Sequence, residues 1–411
     1  MFAHAPKVSG RLLLAAFRPV LQFEAFSTLM LDRFFIAAIG RRLIRLVNPV
    51  CWIGIFIAGT IHMSTHADEV DDFISGRMQA HSIPGLSLAI IQDGKIIKAR
   101  GYGFTDKSNL VPVTTTTLFQ AGSISKSLSA FAALHLVQDG RLSLDADVNT
   151  QLRSWKVPEN EFTRDKKVTL RAILSHSAGL TVHGFPGYLI NWPVPTLQEV
   201  LDGEEPANTS AIRVNMIPGT GWRYSGGGYT VMQQLLIDTT GKSFPGFMRD
   251  TVLTPLGLTN STYEQPLPPN LAVNSAAGYS VSGQPVSGRW HVYPEMAAAG
   301  LWTMASDLAR FAIGVQQSLA GKSNPVLSLA MTGQMLTVQN PSLSPEDGLG
   351  LFVGGSEGKL RFWHDGRNAG FDALMIASVQ AGNGAVILIN ANDDSKTLPA
   401  IVKVIAKKYQ W

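Results

Sequence analysis

The chain has 411 residues, of which 45% are hydrophobic and 16% are charged, and its formal net charge is +4. This composition excludes a disordered chain and predicts a large buried core in one big domain or two lobes. The single cysteine, Cys51, excludes a disulfide framework and a cysteine-based metal cluster. Residues 1–67 carry +5, which leaves about −1 for the remainder, so nothing indicates nucleic-acid binding by the body of the protein.

Residues 1–67 have the pattern of an export leader. A basic stretch at 41–45 precedes the apolar run 50–61, and small residues at 64–67 offer a cleavage site. The apolar run is short for a transmembrane helix, which needs about 20 residues. We therefore expect a cleaved signal peptide and a periplasmic or secreted protein, with an uncleaved inner-membrane anchor as the alternative. The true start is the first methionine or Met30.

The remaining chain, 68–411, predicts a sheet built from both of its ends. A helical segment at 68–80 is followed by two apolar segments, which are joined by Asp93-Gly94. Asp-Gly between apolar strands is a strong hairpin signal. Extended segments are predicted at 86–91, 95–100, 348–353, 360–364, 371–379 and 384–390. A final helix is predicted at 397–408.

The middle of the chain has a different pattern. Long loops rich in proline and glycine separate helical segments at 123–138, 168–175 and 229–238. We interpret the whole as an α+β fold, an antiparallel sheet that is flanked by the terminal helices and carries an inserted, mostly helical lobe. The sheet lobe is predicted at about 68–122 and 290–411, and the helical lobe at about 123–289. Ser306-Asp307 is predicted to cap a further helix.

Ser123 and Lys126 form an S-x-x-K pair at the start of the apolar helix 123–138. Residues three apart on a helix share a face, so the hydroxyl and the amine can meet. Burial disfavours a charged amine and lowers the pKa of the lysine, which then acts as a general base near neutral pH. The free N–H groups at the helix start can stabilise an oxyanion. The pair therefore predicts a serine nucleophile with its own base.

Two other patterns carry weaker hypotheses. Ser356 and Lys359 repeat the S-x-x-K spacing, and Ser356 also completes a G-x-S-x-G that is typical of an α/β-hydrolase when a helix follows. The residues after it predict a strand, so we favour Ser123.

His176 and His183 can share a helical face, but they lack any further metal-ligand pattern. A polar structural role is favoured over zinc binding, and no metal or organic cofactor is expected.

Three motifs follow one another along the chain: S-x-x-K at 123–126, Tyr224-Ser-Gly-Gly-Gly-Tyr229, and His364-Asp-Gly366 on a late strand. Together with stretches such as 168–180, they make the chain resemble the serine β-lactamase and penicillin-binding-protein-like superfamily. The resemblance is strongest to the class C β-lactamase and S12-peptidase branch. It covers nearly all of residues 70–409.

The resemblance implies a catalytic role for three side chains. Ser123 attacks a carbonyl group, and Lys126 helps to remove its proton. Tyr224 completes the base, either held partly as a phenolate beside the lysine or as a relay of the proton to the leaving group. The oxyanion is expected between the backbone N–H groups of Ser123 and Arg367, which follows Gly366 in the late motif.

The resemblance also implies substrate contacts. His364 stands where many relatives carry the lysine of K-T-G and is expected to orient the substrate, protonated toward a carboxylate. The side chain of Arg367 either binds a substrate carboxylate in a bidentate manner or stays solvated. Gly226 replaces the asparagine that in class C enzymes binds the acylamino side chain of the drug. The flexible glycines of 225–228 are therefore expected to widen or soften the site and to weaken β-lactam recognition.

These observations predict an exported serine hydrolase that works through an acyl-enzyme on a small ester, amide or D-amino-acid-containing peptide. Three alternatives stay open: a class C-like β-lactamase, a penicillin-binding sensor or scaffold that acylates without turnover, and an α/β-hydrolase that uses Ser356. The expected partner is a small-molecule or peptide substrate and not a nucleic acid, with a possible membrane tether through the leader. The sequence leaves the oligomeric state open.

Overall fold

The computed structural model describes residues 68–411 except Glu357, so the predicted leader lies outside the described residues. The strands are β1 (Gly85–Gln92), β2 (Lys95–Asp106), β3 (Val111–Pro112), β4 (Phe119–Gln120), β5 (Tyr188–Leu189), β6 (His291–Val292), β7 (Trp302–Thr303), β8 (Phe352–Gly354), β9 (Arg361–Asn368), β10 (Phe371–Ser378) and β11 (Gly384–Ile389). The helices are α1 (Glu69–Ala80), α2 (Ser125–Gln138), α3 (Leu170–Leu174), α4 (Leu197–Asp202), α5 (Gly226–Thr240), α6 (Phe244–Met248), α7 (Pro269–Ala272), α8 (Met296–Ala299), α9 (Ala305–Leu319), α10 (Leu329–Met335) and α11 (Thr397–Tyr409).

A seven-stranded antiparallel sheet has the strand order β3-β2-β1-β11-β10-β9-β8. The N-terminal strand β1 pairs directly with the C-terminal strand β11, as a sheet built from both ends of the chain requires. Asp93 and Gly94 join β1 to β2 with positive φ angles of 51° and 69°. Two positive φ angles are typical of a tight hairpin turn, so this predicted turn is confirmed.

Both faces of the sheet are covered by helices. Leu88 and Ile90 of β1 contribute to a buried cluster with residues of α1 and α11. The intervening Ala89 and Ile91 contribute to a second cluster, to which Phe311 of α9 belongs. Side chains alternate between the two faces of a strand, and β1 is buried along nearly its whole length because both faces are covered.

The helices α2 to α10 lie between β3 and β8 in the chain, which confirms the predicted α+β fold with a mostly helical insertion. The helix α2 is apolar or buried around most of its circumference, because it packs against α8 and α10 inside the protein. The helix that carries the S-x-x-K motif is therefore a core element, and the short turn that precedes it, Gly122–Ile124, packs against β9 and β10.

Two local predictions are wrong. The strand expected at 348–353 covers only Phe352–Gly354, because Gly350 turns the chain with a φ of +83° and donates its N–H to the Leu174 carbonyl. The helix expected to be capped by Ser306-Asp307 begins at Ala305, with Met304 at its N-cap. The Asp307 carboxylate instead accepts hydrogen bonds from Ser261 Oγ at 2.8 Å and Asn260 N at 3.1 Å.

The alternative serine, Ser356, lies exposed in the turn between β8 and β9. The strand predicted after it is β9, so the strand-turn-helix context of an α/β-hydrolase elbow is not met. Within residues 68–411, no helix combines the length and the hydropathy that a membrane span requires.

Candidate active site

Ser123 lies on a short 3₁₀ turn, Gly122–Ile124, that leads directly into α2. Ser125 fixes this turn, since its Oγ donates to Gly122 O at 2.6 Å and accepts from Leu301 N at 3.0 Å. The position of the candidate nucleophile is thus fixed by hydrogen bonds of the neighbouring Ser125. It lines an open cleft between the helical insertion and the edge of β9.

Lys126 meets Ser123 as the spacing predicts. Its Nζ lies 3.0 Å from Ser123 Oγ and donates to Ala298 O at 2.9 Å. The lysine is only 2% exposed, and burial lowers its pKa to about 7, with Asp365 opposing the change in part. A large fraction of this amine is therefore neutral near pH 7 and can accept a proton from the hydroxyl.

Tyr224 completes the cluster from the segment before α5. Lys126 Nζ lies 5.0 Å from the centre of its ring, and Ser123 is near enough to its hydroxyl to affect its pKa. Burial raises the pKa of Tyr224 above its ordinary value, although the contact with Ser123 opposes this. Of the two alternatives for Tyr224, burial therefore disfavours the phenolate and favours a neutral phenol that can donate or relay a proton.

Two histidines contact Tyr224, a role that the sequence analysis did not assign to them. The ring centroids of His176 and Tyr224 are 4.2 Å apart, and those of His183 and Tyr224 are 4.9 Å apart. Their seven-residue spacing had suggested a shared helical face. In the structure they follow α3 in irregular chain, and nothing in the pattern of either residue indicated an aromatic partner.

His364 of β9 is 2% exposed, and burial lowers its pKa to about 4. Burial therefore disfavours the protonated form that the sequence analysis considered. Its Nδ1 lies 2.5 Å from Asp365 O, and because a carbonyl only accepts, Nδ1 carries the proton. In this neutral tautomer Nε2 is an acceptor. The residue in the place of the K-T-G lysine thus presents no positive charge.

The guanidinium of Arg367 is occupied within the protein. Its Nε and Nη2 donate to the two carboxylate oxygens of Asp372 at 2.8 and 2.7 Å, and Nη1 donates to Asp394 at 2.9 Å. Of the two alternatives for this side chain, neither is met as stated, because its bidentate hydrogen bonds go to Asp372. The backbone of Arg367, and not its side chain, lies near Ser123.

Gly366 allows β9 to approach the Ser123 turn at backbone contact. A Cβ atom at Gly366 would lie 2.0 Å from Ala121 O and 2.9 Å from Ser123 N. A Cβ atom at Gly122 would lie 2.6 Å from Arg367 N. The backbone nitrogens of Ser123 and Arg367 are therefore close neighbours, as an oxyanion site between them requires.

The glycine stretch after Tyr224 is not the flexible opening that the sequence suggested. It forms the buried first turn of α5, and the N–H of Gly226 donates to His183 O at 3.0 Å. A Cβ atom at Gly226 would lie 3.0 Å from the ring of Phe185. An asparagine at this position would contact the ring of Phe185, which belongs to the wall of the cleft, and the ring would have to shift.

The cleft has a volume of about 710 Å³. The residues that line it are Ser123, His183, Gly184, Phe185, Pro186, Trp222, Tyr224, Phe352, His364, Asp365, Gly366 and Arg367. It therefore brings the predicted Ser123, Tyr224, His364, Gly366 and Arg367 together, while Lys126 lies behind Ser123. Among the described residues no group of histidine, cysteine and acidic side chains is arranged to hold a metal ion.

The antiparallel sheet and the order of these motifs define a protein of the serine β-lactamase and penicillin-binding-protein-like superfamily, and comparison with known proteins agrees. The family model described as Beta-lactamase matches residues 70–408. The chain belongs to this family.

Curated relatives include Protein flp of Staphylococcus aureus strain N315, which is 23% identical over 341 residues, or 82% of this chain. Penicillin-binding protein 4 of Amycolatopsis lactamdurans is 28% identical over 260 residues, or 62% of this chain. Each match spans 65% of the relative's own length.

Solved structures show the same fold. The octameric penicillin-binding protein homologue from Pyrococcus abyssi has a TM-score of 0.66 and 23% identity, over 83% of this chain and 77% of that one. The D-alanine carboxypeptidase AmpC from Burkholderia cenocepacia has a TM-score of 0.65 and 20% identity, over 83% of this chain and 99% of that one.

Proposed function

We propose that this chain is an exported serine hydrolase that forms an acyl-enzyme with a small ester, amide or D-amino-acid-containing peptide. The observation that carries the proposal is the 3.0 Å contact between Ser123 Oγ and Lys126 Nζ, at a place where burial lowers the amine pKa to about 7. A hydroxyl beside a neutral amine has the base that nucleophilic attack requires. Membership of the Beta-lactamase family supports the same reaction class.

In the proposed mechanism Ser123 Oγ attacks the substrate carbonyl while Lys126 Nζ takes the hydroxyl proton. The developing oxyanion accepts hydrogen bonds from the backbone N–H groups of Ser123 and Arg367. Tyr224 gives its proton to the leaving group and recovers one from Lys126, which returns the amine to its neutral form. Water then attacks the acyl-enzyme, and the same lysine and tyrosine take its proton and return one to Ser123 Oγ.

The lining of the cleft supports a small substrate with an apolar acyl group. Phe185, Trp222 and Phe352 contribute aromatic surface beside Ser123 in a volume of about 710 Å³. A β-lactam is a weaker candidate, because Gly226 offers no amide side chain and the ring of Phe185 lies close to this position. One protein of the same fold is a D-alanine carboxypeptidase, and this likeness supports including peptides that end in a D-amino acid.

The first test is steady-state turnover by the purified protein of a chromogenic cephalosporin and of a short-chain p-nitrophenyl ester, each beside a Ser123→Ala control. We expect ester hydrolysis that is lost in the control, with an acyl adduct on the Ser123 peptide by mass spectrometry. Fast cephalosporin turnover would identify a β-lactamase, and stoichiometric labelling by penicillin without turnover would identify a sensor. Activity that survives Ser123→Ala but is lost in Ser356→Ala would overturn the proposal.

A second test addresses the base. Tyr224→Phe keeps the ring and removes the proton relay, so the acylation rate should fall by about 10²- to 10⁴-fold. Lys126→Ala should depress it at least as strongly. Tyr263→Phe is the matched control, since it removes a buried hydroxyl that donates to Ser125 O at 2.8 Å and does not line the cleft. Wild-type rates in Tyr224→Phe would remove this residue from the mechanism.

Export is tested separately with the full chain. The leader at 1–67 supports passage across the inner membrane, with the enzyme then periplasmic, secreted or tethered by an uncleaved leader. We expect a chain tagged at its C-terminus to be found outside the cytoplasm with a mass that reports cleavage near residue 67. Retention in the cytoplasm would contradict this part of the proposal.

A further inference from the structure

The cleft is lined by one acidic and one basic side chain, and only the basic one forms ion pairs within the described part of the chain. Asp365 and Arg367 are the lining residues that carry a full charge, and they lie on the same strand with one residue between them. Their charges do not cancel at the cleft, because the guanidinium of Arg367 is bound on one side by Asp372 and on another by Asp394. Within the described part of the chain, the Asp365 carboxylate has no such ion pair and is exposed.

The other nitrogen groups near Ser123 do not supply a free cation. Lys126 lies behind the nucleophile, and its Nζ hydrogen-bonds to Ser123 Oγ and Ala298 O. His364 is buried with its Nδ1 proton donated to the neighbouring carbonyl, so Nε2 offers a lone pair. A substrate carboxylate placed here would meet a lone pair and an anion, and its desolvation would not be compensated.

Asp365 lines the cleft together with Tyr224, the proposed proton donor to the leaving group. Its side chain is exposed on β9, whereas that of the preceding His364 is buried against Tyr224. Burial raises the pKa of Tyr224, and the negative charge of Asp365 adds to this effect. A charge on the leaving group would therefore act on Asp365 across the cleft.

We propose that Asp365 selects substrates whose leaving group carries a cationic amine and rejects those with a carboxylate at that place. This inference rests on the proposed function and narrows its substrate class to esters or amides of amino alcohols, diamines or similar cationic compounds. A peptide with a free C-terminal carboxylate beside the scissile bond is the disfavoured class, so the inference removes peptides that end in a D-amino acid from the substrates of the proposed function. The specificity-determining group is one aspartate in the position after His364.

Three thioesters with a common acetyl group test the proposal: S-acetyl thiocholine is cationic, S-acetyl mercaptoethanol is neutral and S-acetyl mercaptopropionate is anionic. Thiol release is followed with a thiol-reactive dye, with Ser123→Ala as the background for each substrate. Exposed ion pairs contribute up to about 1 kcal/mol, so we expect kcat/KM to change about fivefold per unit of charge and roughly 25-fold from cation to anion. The preference should weaken as salt is added.

The variants make the assignment specific to Asp365. In Asp365→Asn the ratio of kcat/KM for the cationic and anionic thioesters should fall toward one, and in Asp365→Lys it should invert. The ratio cancels any change in chemistry that all three substrates share. Asp72→Asn removes an equal charge from an exposed position on α1, a helix on the opposite face of the sheet, and should leave the ratio unchanged.

The outcomes separate this inference from the proposed function. Equal kcat/KM for the three thioesters, or a cation preference that Asp365→Asn does not alter, would overturn the inference while Ser123-dependent hydrolysis stands. No Ser123-dependent turnover of any thioester or of the p-nitrophenyl ester would overturn the proposed function itself. Preference for the anionic thioester would contradict the account of Arg367 as bound by Asp372 and Asp394.

Discussion

The rings of His176 and Tyr224 lie against each other with their centroids 4.2 Å apart and their planes inclined by 33°. His176 Nδ1 also accepts the N–H of Ser225 at 3.2 Å, the residue that follows Tyr224. Burial, with the nearby charge of Lys126, holds the pKa of His176 well below its ordinary value. The imidazole is therefore neutral, and it positions the phenol both through its face and through the adjoining backbone.

His176→Phe tests this positioning role. The substitution keeps an aromatic ring but removes the imidazole nitrogen that accepts the buried N–H of Ser225. Because this N–H is left without its acceptor, the free energy of unfolding should fall by about 1–3 kcal/mol. We also expect kcat for the p-nitrophenyl ester to fall more than KM changes. His135→Phe is the control, because His135 Nδ1 contacts Val326 O, away from the cleft. If His176→Phe lost stability but kept its kcat, the imidazole would be structural only.

The pH dependence of the reaction should report Lys126. Burial lowers its pKa from 10.5 to about 7, so below that pH the amine is protonated and cannot take the proton of Ser123. We expect kcat/KM to rise tenfold per pH unit below about 7 and to level off above it, as for a single essential base. The measurement is ester hydrolysis from acid to mildly alkaline pH. A profile that is flat across neutral pH would contradict Lys126 as the base.

The same pKa has a consequence for stability. Between about 7 and 10.5 the unfolded chain binds a proton on Lys126 that the folded chain lacks, so the free energy of unfolding should rise with pH across that window. Lys126→Met should remove this rise. Urea unfolding of both proteins at several pH values measures the difference, and parallel curves for the two would contradict the lowered pKa.

Features that depend on local pattern were predictable from the sequence. The hairpin at Asp93-Gly94 needs only residues that tolerate positive φ, and the contact of Ser123 with Lys126 needs only helical spacing. The membership of β1 and β11 in one sheet followed from apolar segments at both ends of the chain.

The errors at the site concern contacts that the spacing of residues does not encode. Arg367 is bound by Asp372 because the hairpin register places these two residues opposite each other, and a shift of one residue would point them to different faces. The ring of Phe185 packs close to Gly226 although the two residues lie on separate segments. His364 and Tyr224 are neutral because of burial by many segments at once, which no motif records.

The close approach at Gly366 gives a direct test of the oxyanion geometry. In Gly366→Ala the new Cβ would lie 2.0 Å from Ala121 O, so β9 and the Ser123 turn must separate. We expect an activity loss of at least about 10²-fold, as when one oxyanion donor is removed. The thermal midpoint should also fall. The control is Gly76→Ala on α1, where a Cβ meets nothing within 4 Å.

The two substitutions should act in opposite directions. An alanine inside an exposed helix is favoured over glycine by about 0.5–1 kcal/mol, so Gly76→Ala should be neutral or stabilising and fully active. Full activity in Gly366→Ala would show that the backbone contact between β9 and the Ser123 turn is not needed for the reaction.

Glu295 is a fully buried acid immediately before α8, the helix whose Ala298 carbonyl receives Lys126. Neither carboxyl oxygen has a hydrogen-bond partner of good geometry among the described residues. Burial raises its pKa from 4.5 to about 8, which its own backbone N–H and the nearby Tyr188 oppose only in part, so the group is mainly protonated in the folded protein at neutral pH. An ionised and unpartnered carboxylate here would be costly to keep away from water.

Glu295 should therefore make the protein less stable as pH rises. Between about 4.5 and 8 the folded chain holds a proton that the unfolded chain releases, so the stability present below that window is lost across it. The slope reaches about 1.4 kcal/mol per pH unit at most. Glu295→Gln cannot ionise and should remove this fall, as measured by urea unfolding across the window. Glu264→Gln removes the same charge from an exposed position and should keep the wild-type slope. Equal slopes in Glu295→Gln and the wild type would mean that Glu295 is ionised in the folded protein, and a donor for it would then have to be found beside α8.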